Sequence, residues 1–141
     1  MLILYLTTIV HSTHASGDFD LVITNVTIID AVSGARPGHS VTIRDGRILE
    51  VFSGSIQTRA DILDGRGMYL IPGLWDMHVH IAYEPTLIHH MPSLFLDYGI
   101  TSVRDTGALL DKIKPEVERW LKLGNEAPDL YFSGPLLDGT L

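Results

Sequence analysis

At Pro72-Gly73 the hydrophobic rhythm of the chain changes, and one kind of layer cannot accommodate both sides. Before it, short β-rich runs are punctuated by turns. Leu21-Val22-Ile23 and residues 26–29 favour strands, and Ser33-Gly34 closes that stretch. Residues 41–44 alternate in period two, Asp45-Gly46 interrupts, and residues 47–52 resume. Asp-Gly between two such runs predicts a type I′ hairpin, because both central residues need positive φ. Asp64-Gly65-Arg66-Gly67 predicts a further turn before residues 68–71, which Pro72-Gly73 ends. Residues 17–72 therefore read as a small antiparallel β-unit with no convergent set of chemical side chains.

After Gly73 strands alternate with helices. Residues 74–81 are strand-like, and Leu87, Met91, Leu94, Phe95 and Tyr98 then recur at helical spacing, with Gly99 as the C-terminal cap. Residues 100–103 are a β-branched strand. Ile113, Val117, Trp120 and Leu121 mark a second helix ending at Gly124, with Pro115 in its first turn or dividing two short helices. Leu130-Tyr131-Phe132 opens a third strand. This order predicts an α/β unit over residues 73–141, a parallel sheet with helices outside it.

Composition narrows the function. The chain has 141 residues, 10 Lys and Arg against 17 Asp and Glu, and a net charge of −7. No Lys/Arg cluster exists to meet phosphates, which argues against a nucleic-acid partner. With 45% hydrophobic and 19% charged residues the chain is globular rather than disordered. There is no cysteine, so disulfide scaffolds, thiolate metal sites and cysteine nucleophiles are excluded; a metal site must use the seven histidines and oxygen ligands. Residues 1–16 carry no charged side chain, and residues 2–10 are almost wholly apolar. That run is too short to span a bilayer, which takes about 20 residues. With Thr13-His14-Ala15 behind it, it reads as an export signal, placing the mature protein in the periplasm or outside the cell. The missing basic residues leave a misassigned start or a disordered leader as the other reading, with the protein then cytoplasmic.

The chemistry lies in Pro72-Gly73-Leu74-Trp75-Asp76-Met77-His78-Val79-His80. On a strand, residues i and i+2 share a face with Cα atoms roughly 6–7 Å apart, so His78 and His80 can turn toward one metal ion. A structural pair of strand histidines stands beside that reading. The position favours the metal, since C-terminal ends of parallel strands are where α/β sheets place active sites. Asp76 points to the same face one step deeper, as a carboxylate supporting a ligand or as a buried polar anchor. Arg104 and Asp105 close the second strand at the rim of such a site; a functional role competes with a local ion pair or turn cap. His89 and His90 read as a solvated helix face, His39 as a turn residue, Trp75 and Tyr83 as core and rim aromatics. Glu84, on the loop after the histidines, is a weak candidate for facing the pocket.

The nine-residue histidine segment resembles the metal-binding signature of the amidohydrolase superfamily, in which the first barrel strand carries H-x-H after P-G-x-x-D. Asp20-Leu21-Val22-Ile23-Thr24-Asn25-Val26 resembles the family's opening strand, and Asp45-Gly46-Arg47-Ile48 its first hairpin. Tyr98-Gly99-Ile100-Thr101-Ser102-Val103-Arg104-Asp105-Thr106-Gly107 resembles the second barrel strand of the imidazolonepropionase/prolidase-like branch, and residues 128–139 its third-strand region. The resemblance implies a (β/α)8 TIM barrel preceded by part of a small composite β-sandwich. It also implies one or two divalent ions, Zn²⁺ above all, held in part by His78 and His80. The implied reaction is hydrolysis of carbon–nitrogen bonds in amides, cyclic amides or dipeptides by metal-activated water. Such a barrel takes about 250 residues, whereas residues 74–141 supply at most three strands. A catalytic zinc generally keeps three protein ligands, so the other ligands and the general base are expected beyond residue 141. The chain alone is then expected to be inactive, as an N-terminal piece of a longer hydrolase. A short non-catalytic binding or regulatory module derived from the same fold is the alternative. The expected partner is a small amide or peptide-like substrate; self-association into a homo-oligomer stays open.

Overall fold

Val22, Thr24, Val26 and Ile28 are buried on alternate positions, and this period-two face makes Leu21–Asp30 a single strand, β1. The computed structural model describes residues 19–54 and 56–137, so the export signal read in residues 1–16 lies outside the described residues. The chain divides at Pro72 and Gly73 into two compact units, each with its own sheet.

In the first unit β1 is followed by β2 (Gly34–Arg44), β3 (Arg47–Ser53), β4 (Asp61–Asp64) and β5 (Tyr69–Leu70). The expected hairpin is present: Arg44 pairs with Arg47 across Asp45 and Gly46, at φ of 52° and 68°. The unit is not purely antiparallel. β1 pairs β2 antiparallel, but β4 and β5 lie parallel to β1, with Val22 opposite Ile62 and Ile28 opposite Leu70. A two-residue turn forces antiparallel neighbours, whereas the longer connection after β3 lets the chain cross to the other side of β1. Asn25, at φ 57°, interrupts the β1–β2 register, and its side-chain amide donates to Asp64 Oδ1 at 3.0 Å. That bond, then the Arg66 backbone N–H, holds the Asp64 carboxyl below the usual carboxylate range. His39 is not a turn residue: it lies inside β2, opposite Val26 and Ser53. Val26, Ile28 and Val41 form the core, flanked by Ile23, Ile43 and Leu70.

The second unit runs β6 (Leu74–Val79), a 3-10 turn (Ile81–Tyr83), α1 (Met91–Asp97), β7 (Ile100–Asp105), α2 (Leu110–Leu123) and β8 (Asp129–Phe132). β6, β7 and β8 pair in that order, all parallel, as the strand–helix alternation predicts. The core is Ile81, Val103, Ala108, Ile113 and Trp120. Three details differ from the sequence reading. α1 is shorter than the spacing from Leu87 implies, because Pro92 in its first turn disfavours helix before it. Pro115 neither starts α2 nor divides it, but sits inside one 14-residue helix. Leu121 is 76% exposed rather than core, since Ile113, Glu116 and Trp120 form the buried stripe. Glu116 is buried there with a partner, the Arg119 guanidinium at 2.6 Å, which also donates to the Ile88 carbonyl at 2.7 Å. No helix among the described residues is long and apolar enough to cross a membrane.

Candidate metal site

β6 delivers His78 on the strand and His80 just past its last residue, at the C-terminal edge of the parallel sheet. Their rings lie edge to face, with centroids 5.2 Å apart and planes at 85°. Both side chains are exposed, so neither is a satisfied core histidine. The donor chemistry suits a divalent ion of zinc type, for which imidazole nitrogen is a common ligand. The pair fits part of a ligand set and not a whole one. Among the described residues no group of three or more His, Cys, Asp or Glu comes together.

The supporting residues divide sharply. Asp76 is half-buried, and its Oδ1 accepts the His78 backbone N–H at 3.2 Å, so it braces the main chain at His78. Arg104 and Asp105 point opposite ways from β7, as neighbours on a strand must. Arg104 is exposed and donates from Nε to the Met77 carbonyl at 2.9 Å. Asp105 is wholly buried and forms no ion pair among the described residues; its carboxylate accepts three backbone N–H groups. Ile81 N donates to Oδ2 at 2.7 Å, and Gly107 N and Ala108 N donate to Oδ1 at 3.1 and 2.8 Å. Of the readings the sequence left open for Asp105, the geometry is that of a turn cap.

The lesser candidates disperse. His89 is exposed, His90 precedes α1 and is exposed, and Trp75 stacks on Tyr131 with ring centroids 5.1 Å apart. The Glu84 carboxylate folds back onto the Thr86 hydroxyl and backbone N–H, which hold it below the usual carboxylate range. Sequence reasoning missed the reach of Asp105 back to the residue after His80, and the stacking of Tyr83 on the His80 ring. Both depend on where the loop after β6 turns, which no residue pattern encodes.

The geometry defines an α/β protein with a strand-borne histidine pair at a sheet edge. No protein-family model matches the chain. It is 33% identical over 86 residues to an adenine deaminase of Desulforamulus reducens, covering 60% of this chain and 14% of that protein. It is 39% identical over 69 residues to a dihydroorotase of Solibacter usitatus, covering 49% and 16%. Among solved structures, molinate hydrolase superposes with a TM-score of 0.70 at 25% identity, over 83% of this chain and 30% of that one. An N-acyl-D-glutamate deacylase of Bordetella bronchiseptica, solved with zinc and a phosphonate inhibitor, superposes at 0.52 with 28% identity, over 64% and 19%. A Xaa-Pro dipeptidase at 22% identity and a TM-score of 0.70, over 82% and 33%, shares the fold. These relatives are hydrolases of the amidohydrolase superfamily, and the chain is similar to them over part of their length. It spans 14–16% of the length of these two curated relatives.

Proposed function

We propose that this chain supplies the first two metal ligands, His78 and His80, of a metal-dependent hydrolase acting on carbon–nitrogen bonds. The observation that carries the reading is the edge-to-face imidazole pair, 5.2 Å between centroids, at the C-terminal edge of the first strand of a parallel sheet. β6, β7 and β8 are read as the opening strands of a (β/α)8 barrel, whose active sites gather at that edge. The first unit is read as part of the composite β-sandwich. A zinc-bearing structural relative and the imidazole donors favour Zn²⁺, as one ion or two. When bound, such an ion polarises a carbonyl and brings the pKa of its water toward about 7.

This chain's own residues bind and brace. His78 and His80 present two nitrogen ligands, Asp76 holds the His78 main chain, and Asp105 holds the main chain just after His80. Arg104 fixes the Met77 carbonyl just before His78 and keeps its guanidinium at the rim. The remaining ligands and the general base are not among the described residues and come from elsewhere in the protein. The substrates are small amides, cyclic amides or dipeptides, as in the prolidase-like branch, and residues 1–16 direct export.

The test assays the 141-residue chain and any longer product of its reading frame against a panel of those three substrate classes, with and without a chelator. Turnover by the longer product that is lost on chelation and in His78→Ala or His80→Ala is expected, with none from the chain alone. Turnover indifferent to chelator and to both substitutions would overturn the reading. Absence of turnover from either protein would replace it with a non-catalytic module.

A further inference from the structure

Three residues after His80, the phenol of Tyr83 lies flat against the His80 imidazole. Their centroids are 4.6 Å apart and their planes differ by 5°. The 3-10 turn Ile81–Tyr83 folds the chain back far enough to make this contact. The far edge of the phenol is fixed as well: Tyr83 Oη donates to the Gly107 carbonyl at 3.4 Å. Gly107 leaves room for the stack. A Cβ there would stand 2.9 Å from Tyr83 Oη, 3.3 Å from Leu136 Cγ and 3.5 Å from His80 Cε1, so a side chain at 107 crowds the phenol hydroxyl and only touches the imidazole.

One buried group fixes the backbone on both sides. The Asp105 carboxylate accepts from Ile81 N, the residue after His80, and from Gly107 N, the residue under the phenol. The ends of all three strands meet there, since Thr106 N donates to the Val79 carbonyl at 3.1 Å and Ser133 N to the Asp105 carbonyl at 3.0 Å. The terminal torsion of a free histidine is broad, and an exposed imidazole on a strand end samples many planes. A parallel aromatic neighbour whose own position is fixed removes that freedom.

We infer that Tyr83 is a positioning residue for His80: its ring fixes the plane of the imidazole, and Gly107 and Asp105 fix Tyr83. The consequence for metal binding rests on the proposed role of His78 and His80 as ligands; the stack itself does not.

Tyr83 is 57% exposed, so replacing it leaves the core intact. The experiment follows the histidine side-chain resonances of the 141-residue chain by NMR, with His80 assigned by its loss in His80→Ala, and then titrates Zn²⁺. The ring current of Tyr83 displaces the His80 resonances from those of exposed His89. Tyr83→Leu returns them toward the exposed values and weakens Zn²⁺ binding about tenfold, the lower range for loss of a ligand-orienting neighbour. Tyr83→Phe, which keeps the stack and loses the hydroxyl bond, restores both. Unchanged His80 resonances and unchanged Zn²⁺ affinity in Tyr83→Leu, while His78→Ala and His80→Ala still weaken binding, would overturn the inference and spare the ligands. Zn²⁺ binding indifferent to both histidine substitutions would overturn the ligand reading instead, and the ring shifts would then decide the stack alone.

Discussion

Asp105 is the residue on which the C-terminal edge of the second sheet depends. A buried carboxylate whose oxygens take three backbone N–H groups leaves three orphaned donors when it is removed. Asp105→Ala is expected to destabilise the second unit by about 3 kcal/mol or more, since each buried unmet donor costs about 1–3 kcal/mol. Asp105→Asn offers one acceptor oxygen in place of two and is expected to lose less. Denaturant midpoints of the two variants check this order, and equal midpoints in Asp105→Ala and the parent would refute the cap. At this scale the closeness of His78 and His80 was legible in the sequence, because strand period alone puts residues two apart on one face. The duty of Asp105 was not. A rim carboxylate, an ion-pair partner and a turn cap are the same residue type at the same strand end, and the deciding contact reaches across 24 positions to Ile81.

Helices and strands were legible wherever a period ran unbroken, and illegible where a partner had to be chosen. The stripe through Ile113 and Trp120 gave α2, and Asp45-Gly46 gave the β2–β3 hairpin. The parallel seats of β4 and β5 beside β1 have no local signature, because the runs that make strands do not state which edge they join. Pro115 marks a similar boundary. Its missing N–H leaves the Asp111 carbonyl without its helical partner, and sequence rules place such a proline near a helix end. Tertiary packing of the buried stripe against Ile81 and Val103 keeps α2 continuous regardless. Pro115 is solvent-exposed, so Pro115→Ala restores the bond with no steric cost. It is expected to stabilise the second unit by roughly 1–3 kcal/mol, below the full helix-interior cost of proline because the unfolded chain also gains freedom. Thermal unfolding followed by circular dichroism reads the change; a lowered midpoint would show that the proline ring contributes packing that outweighs the lost bond.

Across the whole molecule the two units differ in what they leave uncovered. Among the described residues of the second unit, β8 pairs with β7 alone, and Tyr131, Phe132, Leu136 and Leu137 are 50%, 38%, 67% and 99% exposed. An open strand edge flanked by large apolar side chains is a seat for further structure or for association. The likeness to amidohydrolases was readable because the histidine segment sits in nine consecutive residues. Any further ligands the proposed site needs have no signature in those nine residues, because barrels collect such groups from strand ends far apart in sequence.

Equilibrium dialysis of the chain against Zn²⁺, beside His78→Ala, His80→Ala and the double variant, tests the metal reading most directly. The expected result is one Zn²⁺ per parent chain, with affinity at least about tenfold lower in each single variant and no specific binding in the double variant. Superimposable isotherms for the parent and the double variant would show that the two imidazoles at the end of β6 are not metal ligands.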